Sequence, residues 1–576
     1  MGQNESAKKR VLVVSILATV FVTVMLSGGI YKVLDLSISP PKKLLIHSVP
    51  VNSTSRQLAK RGKILDRRGR VLAASMIGYT LFVDPSLTED PENIALILGE
   101  FLDVTPAEIE RLIRSKPKNK YVVIQKILSD KQYEIAKQLK IRAIGMEQTL
   151  VREYPHGDIG GALIGFVGTE HSGLAGIENE YNEPLTGDSG TFIRKRDSSR
   201  KTIWVSPEHF KPATNGEDIQ LSIDVVIQDI ATNRLSEEVK RCNAGGGRVI
   251  VANPSTGEIL AMVDILNPRD GWSQQPTDPN RDINIRLGRN RCVTDPYEPG
   301  STFKPFIWSI ATELGIATID EILPTPISQP HKTSFGRVIR DAHYYGPSSW
   351  KKVLVKSMNS GMAIVAERLS HAQLQDAVRK FGFGEKTHIG IGGETKGIVT
   401  SKSNWSDYTQ TSVSMGHEIA VTPLQMVQGF SAFARDGTVP QLQFTVAKQD
   451  DVEIVRNAIT KKTAALTRQI MGKVMTEGTG RKAQSKQYEL FGKSGTAQLP
   501  KIDGKGYFED RYIASFIAGA PLNNPEIVVL CVIDDPDKSI AHYGGIVAGP
   551  VVRDIIDETL NYLGVESSTD YLATVE

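Results

Sequence analysis

The longest apolar segment of the chain lies near its amino terminus. After a basic cluster at residues 8–10, residues 11–30 contain no charged side chain. A helix of this length crosses the hydrocarbon core of a bilayer, since each residue adds about 1.5 Å. The pattern predicts a transmembrane helix over residues 11–31, after a cytoplasmic tail over residues 1–10.

A cleaved signal peptide is the alternative interpretation of this segment. The apolar part of a signal peptide normally spans about 7–15 residues and ends at a small-residue cleavage site. The run here is longer, and no Ala-x-Ala sequence follows it, which favours a retained anchor. The basic cluster favours a cytoplasmic amino terminus, although Lys32, Lys42 and Lys43 weaken the asymmetry.

Downstream, apolar residues recur at both helix and strand spacing. Pro40-Pro41 and a Ser/Thr cluster indicate a spacer over residues 32–60. We predict a mixed module over residues 61–217, called the pedestal, then a larger domain over 218–565 and a polar tail over 566–576. The elements expected within them are a helix at 106–113, strands at 121–127 and 191–193, a linker at 212–218, a strand at 219–224, a helix at 226–239, and a hairpin of 248–252 with 258–263.

Another apolar run begins directly after a turn signal. Pro299-Gly300 marks the turn, and residues 303–314 are apolar enough to form a buried helix. Pro305 suits the first turn of that helix, where its missing N–H would have no partner. Ser301 and Lys304 are therefore predicted at the helix start, on one face.

Composition describes an ordinary globular protein of more than one domain. The 576 residues are 40% hydrophobic, and the formal net charge is only +3. Without a stripe of basic and aromatic residues, there is no reason to expect a nucleic acid partner. Three distant cysteines and ten histidines without ligand spacing predict neither a disulfide framework nor a metal site. No glycine-rich loop completes a nucleotide fingerprint, so we expect no cofactor.

Three short motifs stand in one order within the larger domain. They are Ser301-x-x-Lys304, Ser357-x-Asn359 and Lys493-Ser494-Gly495-Thr496. The first motif alone carries little weight. The same pattern also begins at Ser6, Ser39, Ser115, Ser198, Ser348 and Ser349. Each motif alone would more often be a turn or a helix cap, but their joint order and spacing predict an active site for acyl transfer.

The residue types in these motifs match the needs of acyl transfer. A serine hydroxyl attacks a carbonyl only when a base takes its proton, and a lysine is such a base once burial or nearby cations lower its pKa from about 10.4. Ser301 is the candidate nucleophile and Lys304 its base, with Lys493 as the nearby cation. Ser357 can pass a proton to the leaving amine, while Asn359 can orient Lys304 and hold a substrate amide.

The third motif is expected to bind substrate. Lys493 offers a cation for a carboxylate, Ser494 a hydroxyl, and Thr496 a hydroxyl and an N–H. Gly495 leaves room for close approach of a backbone. The N–H groups of Ser301 and Thr496 would form an oxyanion hole for the developing negative charge.

A known family shares these motifs and several others. With Tyr297-Glu298-Pro299-Gly300 before Ser301, the chain resembles the transpeptidase domain of class B penicillin-binding proteins. Further stretches resemble landmarks of the same family. They are Arg61-Gly62-Lys63-Ile64-Leu65-Asp66-Arg67, Gly173-Leu174-Ala175-Gly176-Ile177-Glu178, Val421-Thr422-Pro423-Leu424-Gln425 and Tyr543-Gly544-Gly545.

The resemblance implies an α+β chain of three parts. These are a single transmembrane helix, an α+β pedestal of the dimerisation type, and a penicillin-binding domain similar to the serine β-lactamases. In that domain, helices carrying Ser301 and Ser357 flank an antiparallel sheet whose edge strand carries residues 493–498. Strands at 514–518 and 527–534 are expected beside it, with a closing helix at 551–563.

The resemblance also implies a function in a bacterial cytoplasmic membrane, with the catalytic domain outside the cell membrane. Ser301 would attack the D-Ala–D-Ala amide of a peptidoglycan stem peptide, and the amine of a second stem would release the acyl-enzyme. β-Lactams would acylate the same serine. The implied protein partners are a polytopic membrane glycan polymerase and proteins of the division complex.

Two branches of the family, for cell division and for elongation, remain as alternatives. Residues 356–363, 532–536 and 543–550 resemble the septal form, which favours division. Ser494 stands where many relatives have threonine, and unusual residues flank Asn359, but the hydroxyl at position 494 is kept. A β-lactamase or D,D-carboxypeptidase, which passes the acyl group to water, and a non-catalytic β-lactam sensor are further alternatives.

Overall fold

The computed structural model describes residues 2–39, 52–157, 160–168, 170–196, 202–267, 288–446, 452–501 and 506–567. The chain divides into two units. The smaller unit combines Met1–Ala59 with Asp188–Thr214, and the larger combines Lys60–Gly187 with Asn215–Glu576. The predicted pedestal, residues 61–217, therefore contributes to both units.

The smaller unit consists of one long helix and a small sheet. The helix Gly2–Ile38 contains one segment, Lys8–Ile38, that is long and apolar enough to cross a membrane. It continues beyond the predicted end at residue 31 because neither glycine nor proline occurs between that residue and Pro40. The predicted spacer lies mostly at residues 40–51, outside the described residues. The sheet has the strand order Asn52–Gln57, Gly190–Arg196, Thr202–Val205.

Within the larger unit, the pedestal is built around the long strand Val71–Val83. This strand pairs antiparallel with Ile144–Glu153, Val122–Gln125 and Ile64–Leu65. Helices pack on this sheet through apolar residues at helical spacing. Two of them begin at a polar capping residue, Thr105 in one case and Ser129 in the other. The pedestal helices are Pro91–Gly99, Pro106–Ser115, Asp130–Gln138, Gly161–Ile164, Gly176–Glu180 and Asn182–Leu185, and its remaining strands are Phe166–Val167 and Gly173–Ala175.

The chain enters the catalytic domain through a short shared strand. Ile219–Gln220 pairs in parallel with Ile64–Leu65 of the pedestal. The predicted strand over residues 219–224 stops at Gln220. The reason is that the Asp224 side chain accepts a hydrogen bond from Val226 N, 3.0 Å away, and thereby caps the helix Val225–Arg241.

A five-stranded antiparallel sheet forms the centre of the catalytic domain. Its strand order is Ile259–Leu266, Gly246–Ala252, Ile527–Asp534, Tyr507–Ala520, Phe491–Pro500. The predicted hairpin is present, and residues 493–498 lie on an edge strand as the resemblance implied. Alternate side chains enter opposite cores, since Val249 and Val251 pack with the helices Val225–Arg241 and Gly544–Leu563 while Ile250 packs on the other face.

Helices on that other face surround the three sequence motifs. They are Arg291–Thr294, Lys304–Glu313, Trp350–Val355, Asn359–Ala366, His371–Lys380, Asp407–Ser414, Pro423–Ala434 and Lys461–Glu477. Short strand pairs lie between them. These strands are Ile322–Leu323, His331–Lys332, Val338–Ile339, Ser348–Ser349, Ile398–Val399, Ile419–Ala420, Thr438–Pro440 and Ile454–Asn457.

The closing helix is longer than predicted. It runs from Gly544 to Leu563 and includes Pro550, whereas the resemblance implied a helix over residues 551–563. Gly544 is the first residue of the helix and lies directly against the sheet. A side-chain carbon added there would lie only 2.1 Å from the Gly495 carbonyl oxygen, so only glycine fits at this position. The predicted tail over residues 566–576 lies mostly outside the described residues, from residue 568 onward.

A buried ion cluster connects the segments of the pedestal. The Glu178 carboxylate has no exposed side-chain surface and lies 2.7 Å from both Arg61 Nε and Arg152 Nε. Arg61 also donates to the Glu178 carbonyl oxygen at 2.6 Å. Because these three side chains come from distant parts of the sequence, the cluster holds the start of the pedestal, at Arg61, against the strand that carries Arg152.

Replacing Glu178 by alanine is expected to destabilise the larger unit strongly. Two arginine side chains would remain buried without their carboxylate, at a cost of roughly 3–5 kcal/mol. Thermal unfolding of the detergent-solubilised full chain measures the loss. The matched control is Asp320→Ala, which breaks the exposed Lys351–Asp320 pair and costs less than about 1 kcal/mol. Equal shifts for the two variants would contradict a structural role for the buried cluster.

Candidate active site

Ser301 lies in a tight turn directly before a buried helix. The 3₁₀ turn Gly300–Phe303 leads into the helix Lys304–Glu313. Gly300 has a positive φ of 54°, which favours glycine, and its N–H donates to Gly416 O at 3.0 Å. The Ser301 side chain is half-buried and makes no hydrogen bond within the described part of the chain.

Lys304 is fully buried one helical turn from Ser301. Its Nζ donates to Ser357 O at 2.7 Å and to Asn359 Oδ1 at 2.6 Å. Burial lowers the pKa of Lys304 to about 7, against an opposing contribution from Asp341. A neutral amine has two N–H groups and one lone pair. The two short hydrogen bonds can use both N–H groups and leave the lone pair free for a proton.

Ser357 connects the two lysines of the site. Its φ of 58° lies in the left-handed region, which is uncommon for a residue other than glycine. This conformation directs its carbonyl oxygen to Lys304 and its hydroxyl to Lys493 Nζ, 2.9 Å away. Lys493 is also fully buried, and its pKa is lowered well below the ordinary value by burial and then by the neighbouring charge of Lys304.

The third motif lies on the edge strand Phe491–Pro500, against the Ser301 turn. A side-chain carbon added to Gly495 would lie 2.6 Å from Pro299 O and 2.9 Å from Thr302 Cγ2. Glycine therefore lets the strand approach the turn. Lys493 Nζ also donates to the Ser494 carbonyl oxygen at 2.9 Å, which holds the ammonium group close to its own strand.

Thr496 faces the Ser301 turn with its backbone. A side-chain carbon added to Gly300 would lie 3.1 Å from the Thr496 carbonyl oxygen. Since the N–H and C=O of one strand residue point to the same side, the Thr496 N–H faces this side too. The Thr496 hydroxyl accepts from Gly544 N at 3.0 Å. The arrangement is compatible with the predicted oxyanion hole.

Three residues of the site were not singled out from the sequence. The Thr479 hydroxyl lies 2.7 Å from Ser494 Oγ. The Glu298 carboxylate accepts from Tyr507 OH at 2.8 Å and lies 3.1 Å from His417 Nδ1. Asp341 binds the start of the helix that carries Asn359. Glu298 belongs to the Tyr297–Gly300 stretch that resembles the family. Thr479 and Asp341 lie in loops, where no sequence pattern indicates that they belong to the site.

The described residues contain no group of three or more His, Cys, Asp or Glu side chains that could hold a metal ion. The cysteines Cys242, Cys292 and Cys531 are all buried. Burial raises the pKa of Cys292 and Cys531 well above the ordinary value, which makes both thiols unreactive.

Comparisons with known proteins agree with this geometry. The penicillin binding protein transpeptidase domain matches residues 247–557, and the penicillin-binding protein dimerisation domain matches residues 56–221. The probable peptidoglycan D,D-transpeptidase PenA of Neisseria gonorrhoeae is 32% identical over 512 residues, covering 88% of this chain and 85% of the relative. Stage V sporulation protein D of Bacillus subtilis is 31% identical, over 90% of this chain and 81% of the relative.

A solved structure shows the same fold. Penicillin-binding protein 3 from Mycobacterium tuberculosis, crystallised with aztreonam, is 23% identical with a TM-score of 0.65, covering 89% of this chain and 98% of that chain. Two family domains in the expected order and a relative above 30% identity over most of both chains confirm the resemblance seen in the sequence. The chain belongs to the class B penicillin-binding proteins and is a serine-type peptidoglycan D,D-transpeptidase.

Proposed function

We propose that this transpeptidase works through an acyl-enzyme on Ser301 and serves septal cell-wall synthesis. The observation that carries the catalytic part is the convergence of two buried lysines on Ser357, beside the Ser301 turn. Two buried lysine side chains sharing one serine have no evident structural purpose, because burying either amine costs free energy. Perturbed lysines of this kind are typical of catalytic sites.

Acylation begins with proton transfer to Lys304. The Ser301 hydroxyl gives its proton to the neutral Lys304 amine while its oxygen attacks the carbonyl carbon of the D-Ala–D-Ala bond. The N–H groups of Ser301 and Thr496 bind the resulting oxyanion. The C–N bond then breaks, a proton passes through Ser357 to the leaving amine, and D-alanine departs. An ester between Ser301 and the donor stem remains.

Deacylation reverses these steps with a different amine. The acceptor stem amine attacks the ester carbonyl carbon and passes a proton through Ser357 to Lys304. The ester C–O bond then breaks, the new amide departs, and the Ser301 oxygen takes the proton from Lys304. A β-lactam presents a similar amide in a ring, so its leaving group stays attached after acylation. Lys493, Ser494 and Thr496 would hold the carboxylate of either ligand.

The orientation in the membrane and the protein partners belong to the same proposal. The basic cluster before the apolar helix supports a cytoplasmic amino terminus, which places the catalytic domain outside the cytoplasmic membrane. Peptidoglycan stem peptides occur there. We expect a polytopic membrane glycan polymerase and division-complex proteins as partners, as the family resemblance implies.

The septal role rests on sequence detail. The second motif at residues 356–363 and the segments 532–536 and 543–550 resemble the septal branch. One similar relative is named for sporulation, so family membership alone does not decide the role. The elongation branch is the second candidate.

Replacing Ser301 by alanine is expected to abolish labelling of a 63.1 kDa chain by a fluorescent penicillin, because the acylated oxygen is removed. Membranes containing the full chain are labelled and separated by electrophoresis. The matched control is Ser115→Ala, since Ser115 begins another Ser-x-x-Lys pattern at an exposed position of the pedestal. Labelling that survives in Ser301→Ala would sink the assignment of the nucleophile.

Acylation is expected to slow below neutral pH. With the pKa of Lys304 at about 7, the neutral base is the minor form at lower pH and the major form at higher pH. The rate constant for penicillin acylation should therefore rise with pH, with a midpoint near that value. Lys304→Arg keeps a permanent cation and should lose roughly 10²–10⁴-fold in rate. A rate that is flat between pH 5.5 and 8.5 would contradict Lys304 as the base.

Depletion of the protein in its own cells separates the two branches. A septal enzyme is needed only to close the division site, so depleted cells should grow into filaments, whereas loss of an elongation enzyme gives round cells. Microscopy of depleted cells carrying wild-type or Ser301→Ala copies measures the outcome. Only the wild-type copy should restore cell length. Rounding instead of filamentation would assign the elongation branch.

A further inference from the structure

The helix that carries Asn359 lacks a capping side chain of its own. Asn359–Ala366 follows Met358, whose buried apolar side chain makes no cap hydrogen bond. The first N–H groups of a helix have no partner inside the helix and need acceptors from elsewhere. Helices of this domain usually take a serine, threonine or aspartate at this position, as at Ser349 and Ser370.

A carboxylate from another loop takes the place of the missing cap. Asp341 Oδ1 accepts from the N–H groups of Asn359 and Ser360, the latter at 3.0 Å, and Asp341 Oδ2 accepts from the Ser360 hydroxyl. Both carboxylate oxygens are thus used on two consecutive residues. The contact fixes the backbone of Asn359 and Ser360 against the loop that holds Asp341.

The residue before Asp341 fixes the side chain of Asn359. Asn359 Nδ2 donates to the Arg340 carbonyl oxygen at 2.9 Å. With its amino group held there, the Asn359 amide must present Oδ1 to Lys304 Nζ, 2.6 Å away. The opposite orientation would set two oxygens against each other at Arg340. Arg340-Asp341 therefore holds both the backbone and the amide of Asn359.

Asp341 also acts on Lys304 through its charge. Among the described residues, the titratable groups that act on Lys304 are Lys493, which reaches it from the edge strand through Ser357, and Asp341, which acts from the loop through its charge. Burial lowers the pKa of Lys304, and the Asp341 carboxylate raises it. Removing the carboxylate is therefore expected to make Lys304 a weaker base with a lower pKa.

We propose that Asp341 is a positioning residue for acylation, which caps the Asn359 helix from outside and through Asn359 holds Lys304 beside Ser301. This inference rests on the proposed roles of Ser301 and Lys304. Asp341 contacts the second motif and not the reacting atoms, so it acts through Asn359. Its replacement should affect the acylation step rather than substrate affinity.

The test is the acylation kinetics of the detergent-solubilised full chain with a fluorescent penicillin between pH 5 and 9. We expect Asp341→Asn, which keeps the shape and removes the charge, to shift the acidic limb of the rate profile to lower pH. We expect Asp341→Ala, which also removes the cap, to lower the limiting acylation rate about tenfold or more while changing the dissociation constant little. These rate constants do not depend on how much of the sample is folded.

Two further variants separate positioning from general stability. Ser360→Ala removes one hydrogen bond and keeps the charge, so its pH midpoint should equal that of the wild type. Asp320→Asn removes an exposed carboxylate of the same domain and should leave both rate and midpoint unchanged.

The outcomes distinguish this inference from the proposed function. If Asp341→Asn keeps the wild-type midpoint, or Asp341→Ala keeps the wild-type rate, the positioning role is wrong while the mechanism stands. If Lys304→Arg acylates as fast as the wild type, the proposed mechanism itself fails, whatever the Asp341 variants show.

Discussion

Burial of two lysine side chains beside one serine is the constraint on which the catalytic domain depends. Removing an ammonium group from water costs several kcal/mol unless hydrogen bonds and nearby charges compensate. Here the compensation comes from a serine in a left-handed conformation, an asparagine amide and a strand carbonyl oxygen. These groups belong to separate elements, so the site forms only when the nucleophile helix, the second-motif loop and the edge strand have all reached their places.

Close backbone packing makes that assembly possible. Gly495 lets the edge strand approach the Ser301 turn, Gly416 lets a neighbouring loop bind the Gly300 N–H, and Gly544 lets the closing helix begin against the sheet. At each position a larger residue would push two elements apart. The contacts join the sheet, the turn and the helix through main chain rather than through flexible side chains. Main-chain contacts of this kind hold the Ser301 turn firmly against the sheet.

The sequence located the residues of the candidate site better than the groups that surround them. Lys304, Ser357, Asn359 and Lys493 stand in motifs whose residue types have few other joint uses, and hydrogen bonds connect all four in the structure. Ser301 lies in the turn directly before the helix that begins at Lys304. The Gly246–Ala252 hairpin was predicted because its turn and alternation are local. Asp341 could not be found in this way, since its contact depends on how a distant loop folds back. The expected start of the closing helix, residue 551, lies seven residues after the observed start at Gly544. The helix tolerates Pro550 because packing, rather than local propensity, decides where it begins.

Two lysines that share Ser357 also determine where the proton can go. In a site of low dielectric, both cannot carry charge without strong repulsion. A substrate or β-lactam carboxylate bound beside Lys493 would stabilise the charge on that lysine. The repulsion from a charged Lys493 then disfavours protonation of Lys304, which leaves the Lys304 amine free to take the Ser301 proton. Asp341 acts in the opposite direction on the same amine. In the proposed mechanism, ligand binding and base activation are thus one electrostatic event, and the balance between Lys493 and Asp341 sets the pH at which it occurs.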